Sequence, residues 1–305
     1  MGFEKPLREL YLGEILSQTF NLYFSRFYLF YIPFLVVGFF TEALGKIVSQ
    51  TFPMPATPDP TAPTDVLLSY LVSFFEFLVV TLLLVGLVSW IVDVIVGGMT
   101  VKVASDTLER RSIDLSEALN FTAGRLPSLL GAAIVTGILI VVGLILLVVP
   151  SIILAIMFSL IVPAIVIERV GALESLSRSR RLVGGRWLKT FGLLLLVYLI
   201  IFVAGLIFGA ISSVFGDADW IVSNVLGSLV SPILPIAVTL YYYSMAARQQ
   251  PPSPPLTPAP TPRATTEARP SPPEPFAEIH CIYCGAENRT DAVFCQSCGK
   301  KIVKS

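Results

Sequence analysis

Residues 126–167 read LPSLLGAAIVTGILIVVGLILLVVPSIILAIMFSLIVPAIVI, a run of 42 residues without a charged side chain. As a single helix this run would be ~63 Å long, about twice the ~30 Å hydrocarbon core of a bilayer. Two membrane-spanning helices that fold back at residues 148–151 would use the whole run. Pro150 suits such a turn, because proline lacks a backbone donor and disfavours helix in the residue before it. The stretch predicts a membrane hairpin, since a soluble protein would need much more chain to bury it.

The composition of the whole chain agrees with a membrane protein that crosses the bilayer several times. Hydrophobic residues make up 54% of the 305 residues, and charged residues only 14%, against about 25% in soluble domains. The mean hydropathy is +0.79. The formal net charge is zero, which gives no whole-chain attraction to nucleic acid. The charged N-terminal residues have no compact apolar core followed by a cleavage site, so we expect no cleaved signal peptide.

The apolar runs on both sides of the hairpin complete a membrane domain over residues 1–248. We predict an all-α membrane protein with six transmembrane helices, interfacial amphipathic helices and a small C-terminal zinc ribbon. Residues 7–24 show helical apolar spacing and predict one interfacial helix. Asp114, with Glu117 three residues later, predicts the start of another short helix. The six spans are predicted at about 27–48, 67–98, 126–149, 151–167, 187–212 and 220–245.

The distribution of basic residues predicts the orientation of these spans. Fourteen lysines and arginines flank the span ends on one side, whereas Lys46 alone lies on the other. They are Lys5, Arg8, Arg26, Lys102, Arg110, Arg111, Arg125, Arg169, Arg178, Arg180, Arg181, Arg186, Lys189 and Arg248. Because basic flanks stay in the cytoplasm, we predict a multi-pass protein of the cytoplasmic membrane with both termini in the cytoplasm.

The C-terminal part of the sequence contains a different kind of signal. Residues 249–276 hold 11 of the 23 prolines and predict a disordered linker, and residues 277–305 contain all four cysteines. Cys281 and Cys284, then Cys295 and Cys298, form two Cys-x-x-Cys pairs, each followed by glycine. Four thiolates at this spacing predict one structural Zn²⁺ with a closed tetrahedral shell. Two disulfides are the alternative, but they are rare in the reducing cytoplasm.

The neighbours of the cysteines have predicted supporting roles. A module of roughly 25 residues cannot fold on an apolar core alone, so the metal must contribute its stability. We expect Tyr283, Val293 and Phe294 to provide its small apolar cover. His280, the only histidine, stands next to the first cysteine and is interpreted as a neighbour of the metal site.

Two resemblances follow from these motifs. Residues 279–302 resemble the zinc-ribbon modules at the ends of many prokaryotic, often archaeal, proteins, with Ile282 where a proline is common. Residues 163–187, PAIVIERVGALESLSRSRRLVGGRW, carry a resemblance of residues 7–248 to uncharacterised prokaryotic six-span proteins. These are similar to the membrane domain attached to some bacterial glycerophosphodiester phosphodiesterases. The soluble phosphodiesterase domain is absent from the sequence, so the resemblance implies a membrane domain without that chemistry.

Two sets of charged residues are further candidates for function. One is a basic set close to the predicted membrane surface: Arg178, Arg180, Arg181, Arg186 and Lys189. These residues could bind anionic lipid headgroups, but the favoured interpretation is that they only set the topology. The other set is Glu76 and Asp93, the only acids within the apolar runs. Acids inside a span are functional candidates, whereas an interfacial position would make them ordinary.

The sequence favours a binding or scaffold protein that the bundle holds in the lipid bilayer and whose ribbon recruits a partner. We expect a cytosolic protein as that partner, with nucleic acid less favoured. The alternative is a transporter or channel, which would need polar groups converging within the membrane, and the sequence offers few. We predict no enzyme, because the bundle has no histidine and no nucleophilic cysteine. The sequence does not define the oligomeric state.

Overall fold

A computed structural model describes residues 4–249, 278–289 and 292–301 of the chain. The described residues belong to two compact units, a helical bundle within 4–249 and the ribbon within 278–301. The predicted proline-rich linker, 249–276, lies outside the described residues except for Gln249. The α-helices of the bundle are α1 Leu12–Ser25, α2 Phe27–Thr51, α3 Thr64–Thr81, α4 Leu87–Leu108, α5 Leu115–Gly124, α6 Leu126–Leu146, α7 Val148–Met157, α8 Ile161–Glu168, α9 Ala172–Val183, α10 Trp187–Ser212, α11 Asp219–Val230 and α12 Ile233–Gln249.

The hairpin predicted from residues 126–167 is formed by α6 and by α7 with α8. The chain reverses at Leu147, whose backbone is extended, with φ −170° and ψ 152°. Pro150 lies in the first turn of α7 and not at the reversal. A proline is tolerated there, because a first-turn residue needs no backbone donor. Gly143 permits the close contact of the two helices, since a Cβ there would lie 3.1 Å from the backbone of Ser151. The predicted fold-back is present, three residues before the predicted proline.

Two of the helical runs are longer than the spans that the sequence predicts. Residues 64–108 form one continuous helix in which a π-helical turn, Leu82–Gly86, joins α3 to α4. Its last eleven residues, 98–108, are all buried, whereas the predicted span ended at residue 98. Buried packing inside the bundle, and not lipid, sets the end of this helix. The apolar outer face of α3, by contrast, is exposed along its length, as a lipid-facing helix requires.

Residues 187–249 pass through the bundle twice. The turn after α10 contains Gly216, whose φ of 55° favours glycine. After the turn, α11 and α12 run back beside α10, and the Thr190 hydroxyl lies 2.7 Å from the Tyr241 hydroxyl. The helix is broken between α11 and α12, at residues 231–232. Within the described residues, five continuous helical runs are long and apolar enough to cross a membrane, and this folded run is one of them.

The short helices lie where the sequence predicts them. Asp114 caps α5, since its carboxylate accepts a 2.8 Å hydrogen bond from the Ser116 amide. The predicted N-terminal helix over 7–24 begins only at Leu12, and α1 buries its apolar stripe, including Ile15 and Leu22. The apolar core is richest around α12, where Ile236, Leu240 and Tyr241 are fully buried, and α4, α1 and α9 pack around that helix.

The ribbon has two strands and two tight turns. Strands β1 Glu278–His280 and β2 Glu287–Arg289 are antiparallel and flank the first pair of cysteines. Each pair of cysteines closes a turn in which the glycine amide donates to the carbonyl of the first cysteine, at 2.8 Å for Gly285 and 2.9 Å for Gly299. Both glycines have positive φ, 73° and 71°. The glycines are needed there because L side chains rarely adopt this conformation.

Candidate metal centre and the polar end of the bundle

The four predicted zinc ligands converge on one point. The sulfur atoms of Cys281, Cys284, Cys295 and Cys298 all lie within 4.8 Å of one another. The Cys281–Cys298 sulfurs are 3.7 Å apart, and the Cys284–Cys295 sulfurs are 3.6 Å apart, too far for disulfide bonds. This donor set fits a single Zn²⁺, which prefers four sulfur ligands in a tetrahedron. His280 is exposed and does not belong to this group.

The charges of the site require a cation. Amide donors from Cys298 and Ser297 favour the Cys295 thiolate and lower the pKa of that thiol to about 6. The Ala286 amide also favours the Cys284 thiolate, but the adjacent sulfurs of Cys298 and Cys295 raise its pKa to about 12. Four sulfurs in one place cannot all ionise together without a compensating positive charge. A bound Zn²⁺ supplies that charge, and the four thiolates then leave no open position for catalysis.

Asn288 is a part of the metal site that the sequence analysis missed. Its side chain is 6% exposed and donates to the Cys295 sulfur at 3.5 Å. Its carbonyl oxygen accepts a 3.0 Å hydrogen bond from the Gln296 amide. One asparagine thus connects the strand after the first turn to the second turn and orients a ligand. A polar residue three positions after a Cys-x-x-Cys-Gly motif was the available signal.

The expected apolar cover of the ribbon is absent from the described residues. Tyr283, Val293 and Phe294 are 56%, 55% and 60% exposed, so the prediction that they shield the module is wrong. The buried cysteines pack instead against Ile279, Ala286 and Ala292. Ile282 and Tyr283 lie within the first turn, and Val293 and Phe294 directly precede the second, and all four are exposed, with Ile282 at 72%. We call this set of exposed apolar residues the tip patch (Ile282, Tyr283, Val293 and Phe294).

The five residues of the predicted lipid-headgroup set lie at one end of the bundle but do not form one site. Arg186 and Lys189 both contact Glu9, and the Lys189 ammonium lies 2.6 Å from its carboxylate. Arg178 binds Glu168 through two nitrogens, with distances from 2.6 to 2.9 Å. Arg180 and Arg181 are exposed. Lipid binding by this set stays a prediction.

The bundle contains a buried ion pair that the sequence analysis did not predict. The Lys102 ammonium lies 2.6 Å from an Asp106 oxygen, and the two side chains are 9% and 8% exposed. Beside this pair, the Tyr243 hydroxyl donates to Glu109 at 2.7 Å and contacts the Ser105 hydroxyl at 2.7 Å. The sequence analysis counted Lys102 only as a topology signal.

Glu76 and Asp93, the two acids within the apolar runs, lie on the outside of the bundle. Both side chains are exposed on the long helical run 64–108. Neither of them faces the buried ion pair of α4, which involves Asp106. The structure therefore gives these two acids no common site.

The fold and the metal site define a helical membrane protein that carries a zinc-ribbon domain. Comparison with protein families refines this class: residues 21–249 match a domain of unknown function, DUF7847, and residues 280–302 match a zinc-ribbon domain. Because the first match covers most of the chain, the protein belongs to the DUF7847 family. No curated protein and no solved structure matches the chain.

Proposed function

We propose that this protein is a membrane-anchored scaffold whose ribbon recruits a cytosolic protein. The tip patch is the observation that carries the proposal. Its four apolar side chains are at least half exposed, although a module of this size has little apolar surface to spare. Exposed apolar side chains in so small a module support a binding surface. The closed set of four sulfur ligands leaves the surface of the ribbon, and not its metal, to make contacts.

The charge next to the tip patch also supports binding to a protein. The Lys300 ammonium lies over the Tyr283 ring, 4.6 Å from its centre. A ring and a cation together form an amphipathic contact that suits a protein surface with an acidic rim. Nucleic acid is the less favoured partner, because binding to it depends on many basic residues, and few lie on the ribbon. The proposal assigns no catalysis to either unit.

The proposal includes a six-span topology with both termini in the cytoplasm. The return of α11 and α12 beside α10 supports counting residues 187–249 as two spans, which gives six in total. The fourteen-to-one distribution of basic residues supports the orientation. We also propose, from the motif around Glu168 to Trp187, that the bundle is related to the membrane domain attached to glycerophosphodiester phosphodiesterases, in a prokaryotic, archaeal setting.

Site-specific photo-crosslinking tests the recruitment. A photoreactive residue at Tyr283 in the living cell should form an adduct of one recurrent mass with a soluble protein. The same residue at Arg8, which is exposed on the bundle, should not form that adduct. The double variant Val293→Ser/Phe294→Ser should remove the adduct, whereas Glu287→Gln should keep it, and both should retain one zinc per chain.

Two outcomes would contradict the proposal. If the adduct survives the double variant, the tip patch is not the docking surface. If a reporter that is active only outside the cytoplasm becomes active when fused after Ser305, the ribbon cannot meet a cytosolic partner.

A transporter or channel is the second candidate. The interruption between α11 and α12 favours it, because broken helices characterise transport sites. Deleting residues 249–305 separates the two functions. A scaffold loses its partner in that truncation, whereas a transporter keeps its activity and moves solute in reconstituted vesicles.

A further inference from the structure

A cavity of about 530 Å³ lies between helices α2, α4, α7, α8, α10 and α12 of the bundle. Thirteen of the fifteen residues that line it are apolar or glycine. The other two are Tyr198 and Ser159, whose hydroxyl already donates to the Ile156 carbonyl at 2.9 Å. The inner wall is buried, since Val101, Ile156 and Val238 are at most 8% exposed. The volume is that of a small-ligand pocket and is much larger than a single water molecule needs.

Two helix breaks adjoin this cavity. Residues 158–160 separate α7 from α8, and residues 231–232 separate α11 from α12. At the first break, the Ser179 hydroxyl donates to the Met157 carbonyl at 2.7 Å and accepts from the Leu160 amide at 3.2 Å. In the described part of the chain, no residue that lines the cavity has a buried side-chain polar atom without a partner. The lining therefore favours an apolar occupant over water, which would need several polar partners.

The rim of the cavity belongs to the lipid-facing surface of the bundle. It includes Ile152 on α7 and Leu195 and Tyr198 on α10, which are 45%, 53% and 56% exposed. Trp187 begins α10 beside basic residues, a position typical of the membrane interface. The lining residues of α10 lie four to eleven residues beyond Trp187, which is ~6 to 17 Å along the helix axis. One leaflet contributes about half of the ~30 Å hydrocarbon core, so this depth is that of lipid chains.

We propose that the cavity binds one hydrocarbon chain of a membrane lipid, from the leaflet next to the basic end of the bundle. An empty cavity would leave its lining side chains without contacts on one side, and a hydrocarbon chain restores those contacts. Packing of this kind, and not exclusion of water, drives association within a bilayer. The rim faces the lipid, which supplies such chains at high concentration. The inference concerns the bundle alone and does not depend on the ribbon.

Gly97 on α4 offers a way to fill the cavity. It lines the cavity, and a Cβ added to it would have no heavy atom within 4 Å apart from its own helix. Gly97→Leu therefore places a side chain in open space, and it should fold because leucine favours a helix more than glycine does. Gly137 on α6 is the matched control, since a Cβ there also meets open space but this residue does not line the cavity.

The experiment uses the full chain in a non-ionic detergent and a phosphatidylcholine that carries a diazirine midway along one acyl chain. After illumination, peptide mass spectrometry locates and counts the adducts. Adducts on the lining residues of α4, α7 and α10 should saturate at one per chain. Gly97→Leu should lose this saturable adduct, whereas Gly137→Leu should keep it. A phosphatidylglycerol with the same labelled chain should give the same saturation, because the proposed contacts involve the chain and not the headgroup.

Ala155→Phe is a second variant that narrows the cavity, at an exposed position of α7 that also lines it. It should also lose the saturable adduct, and it decides the test if the unfolding temperature shows that Gly97→Leu is not folded. The proposal is overturned if adducts spread evenly over the outer surface, including α3, or if Gly97→Leu and Gly137→Leu are labelled equally. It is also overturned if filling the cavity changes the oligomeric state and not the labelling, because a second copy of the chain would then be the occupant.

Discussion

The bundle and the ribbon exclude water in different ways. In the bundle, large side chains from many helices meet, and Phe30, Leu193 and Tyr241 are at most 1% exposed. In the described part of the ribbon, the buried side chains are two of the cysteines and Asn288. The core of the ribbon is therefore its metal site, whereas the core of the bundle consists of apolar side chains packed between helices. Each unit should therefore lose its structure for a separate reason, without the other unit being affected.

Removing the metal should have the largest effect, and it should be confined to the ribbon. Cys281→Ser/Cys298→Ser should reduce the zinc content from one per chain to none. Binding of structural zinc contributes about 10–16 kcal/mol to the folding of such modules, so the ribbon should become fully sensitive to protease. The unfolding temperature of the bundle should not change.

The effect of metal removal needs a control variant in which the four cysteines are intact. Glu287→Gln, at an exposed position of β2, should keep both the zinc and the protease resistance. Unchanged zinc content in the double variant would refute the ligand assignment. Loss of membrane insertion in that variant would refute the independence of the bundle.

Breaking the buried ion pair should have the next largest effect, confined to the bundle. Asp106→Ala leaves the Lys102 ammonium buried without its partner, which costs about 3–5 kcal/mol. Equilibrium unfolding in detergent measures this loss, while the zinc content of the ribbon should stay the same.

The double variant Lys102→Met/Asp106→Leu tests the reason for that loss. It should recover most of the stability, because no buried charge remains. Arg8→Gln breaks the exposed pair with Glu14 and should change the stability little, because solvent screens such a pair. If Asp106→Ala is as mild as Arg8→Gln, the pair does not stabilise the bundle.

The smallest effect should be a pH dependence of the bundle that involves Glu9. Partial burial alone would raise its pKa, but Lys189, Arg186 and Arg248 lower it below the ordinary value of 4.5. A lowered pKa means that the contribution of Glu9 to stability is complete above pH 4.5 and is lost as the pH falls through the folded-state pKa.

Comparing the original chain with Glu9→Gln at two pH values measures this contribution. At pH 7 the variant should be less stable by up to about 1 kcal/mol, and at a pH below the folded-state pKa of Glu9 the two should converge. A difference that persists at low pH would show that Glu9 acts through packing and not through charge.

Features that depend on local composition were predicted from the sequence. The metal site depends on four cysteines in two tight turns, and the start of α5 depends on the carboxylate of Asp114. Both features are determined by residues close together in the sequence. The hairpin of residues 126–167 is decided by length and by the absence of charge. The reversal at Leu147 lies one residue before the predicted range 148–151, because a proline suits the first turn of a helix as well as a loop.

Features that depend on distant contacts were not predictable. Glu9 meets Lys189 across 180 positions of sequence, so the basic set near residue 189 resembled a free surface. Lys102 and Asp106 have the spacing of an ordinary exposed helical pair, and the packing of other helices against α4, among them α5 with Phe121 next to Lys102, buries them. The residues of the tip patch show the opposite error: they are apolar and close to the metal site, yet they are exposed.

The reversal at Leu147 has a consequence for how the protein enters the membrane. The tip of the hairpin is a single extended apolar residue between two helices, and it has no charged or strongly polar side chain nearby. Carrying this tip across the bilayer therefore moves no ionisable group through the hydrocarbon, whichever way the bundle faces. We expect the two helices to insert as a pair in one step, because neither has a charged flank at the tip that could hold it back.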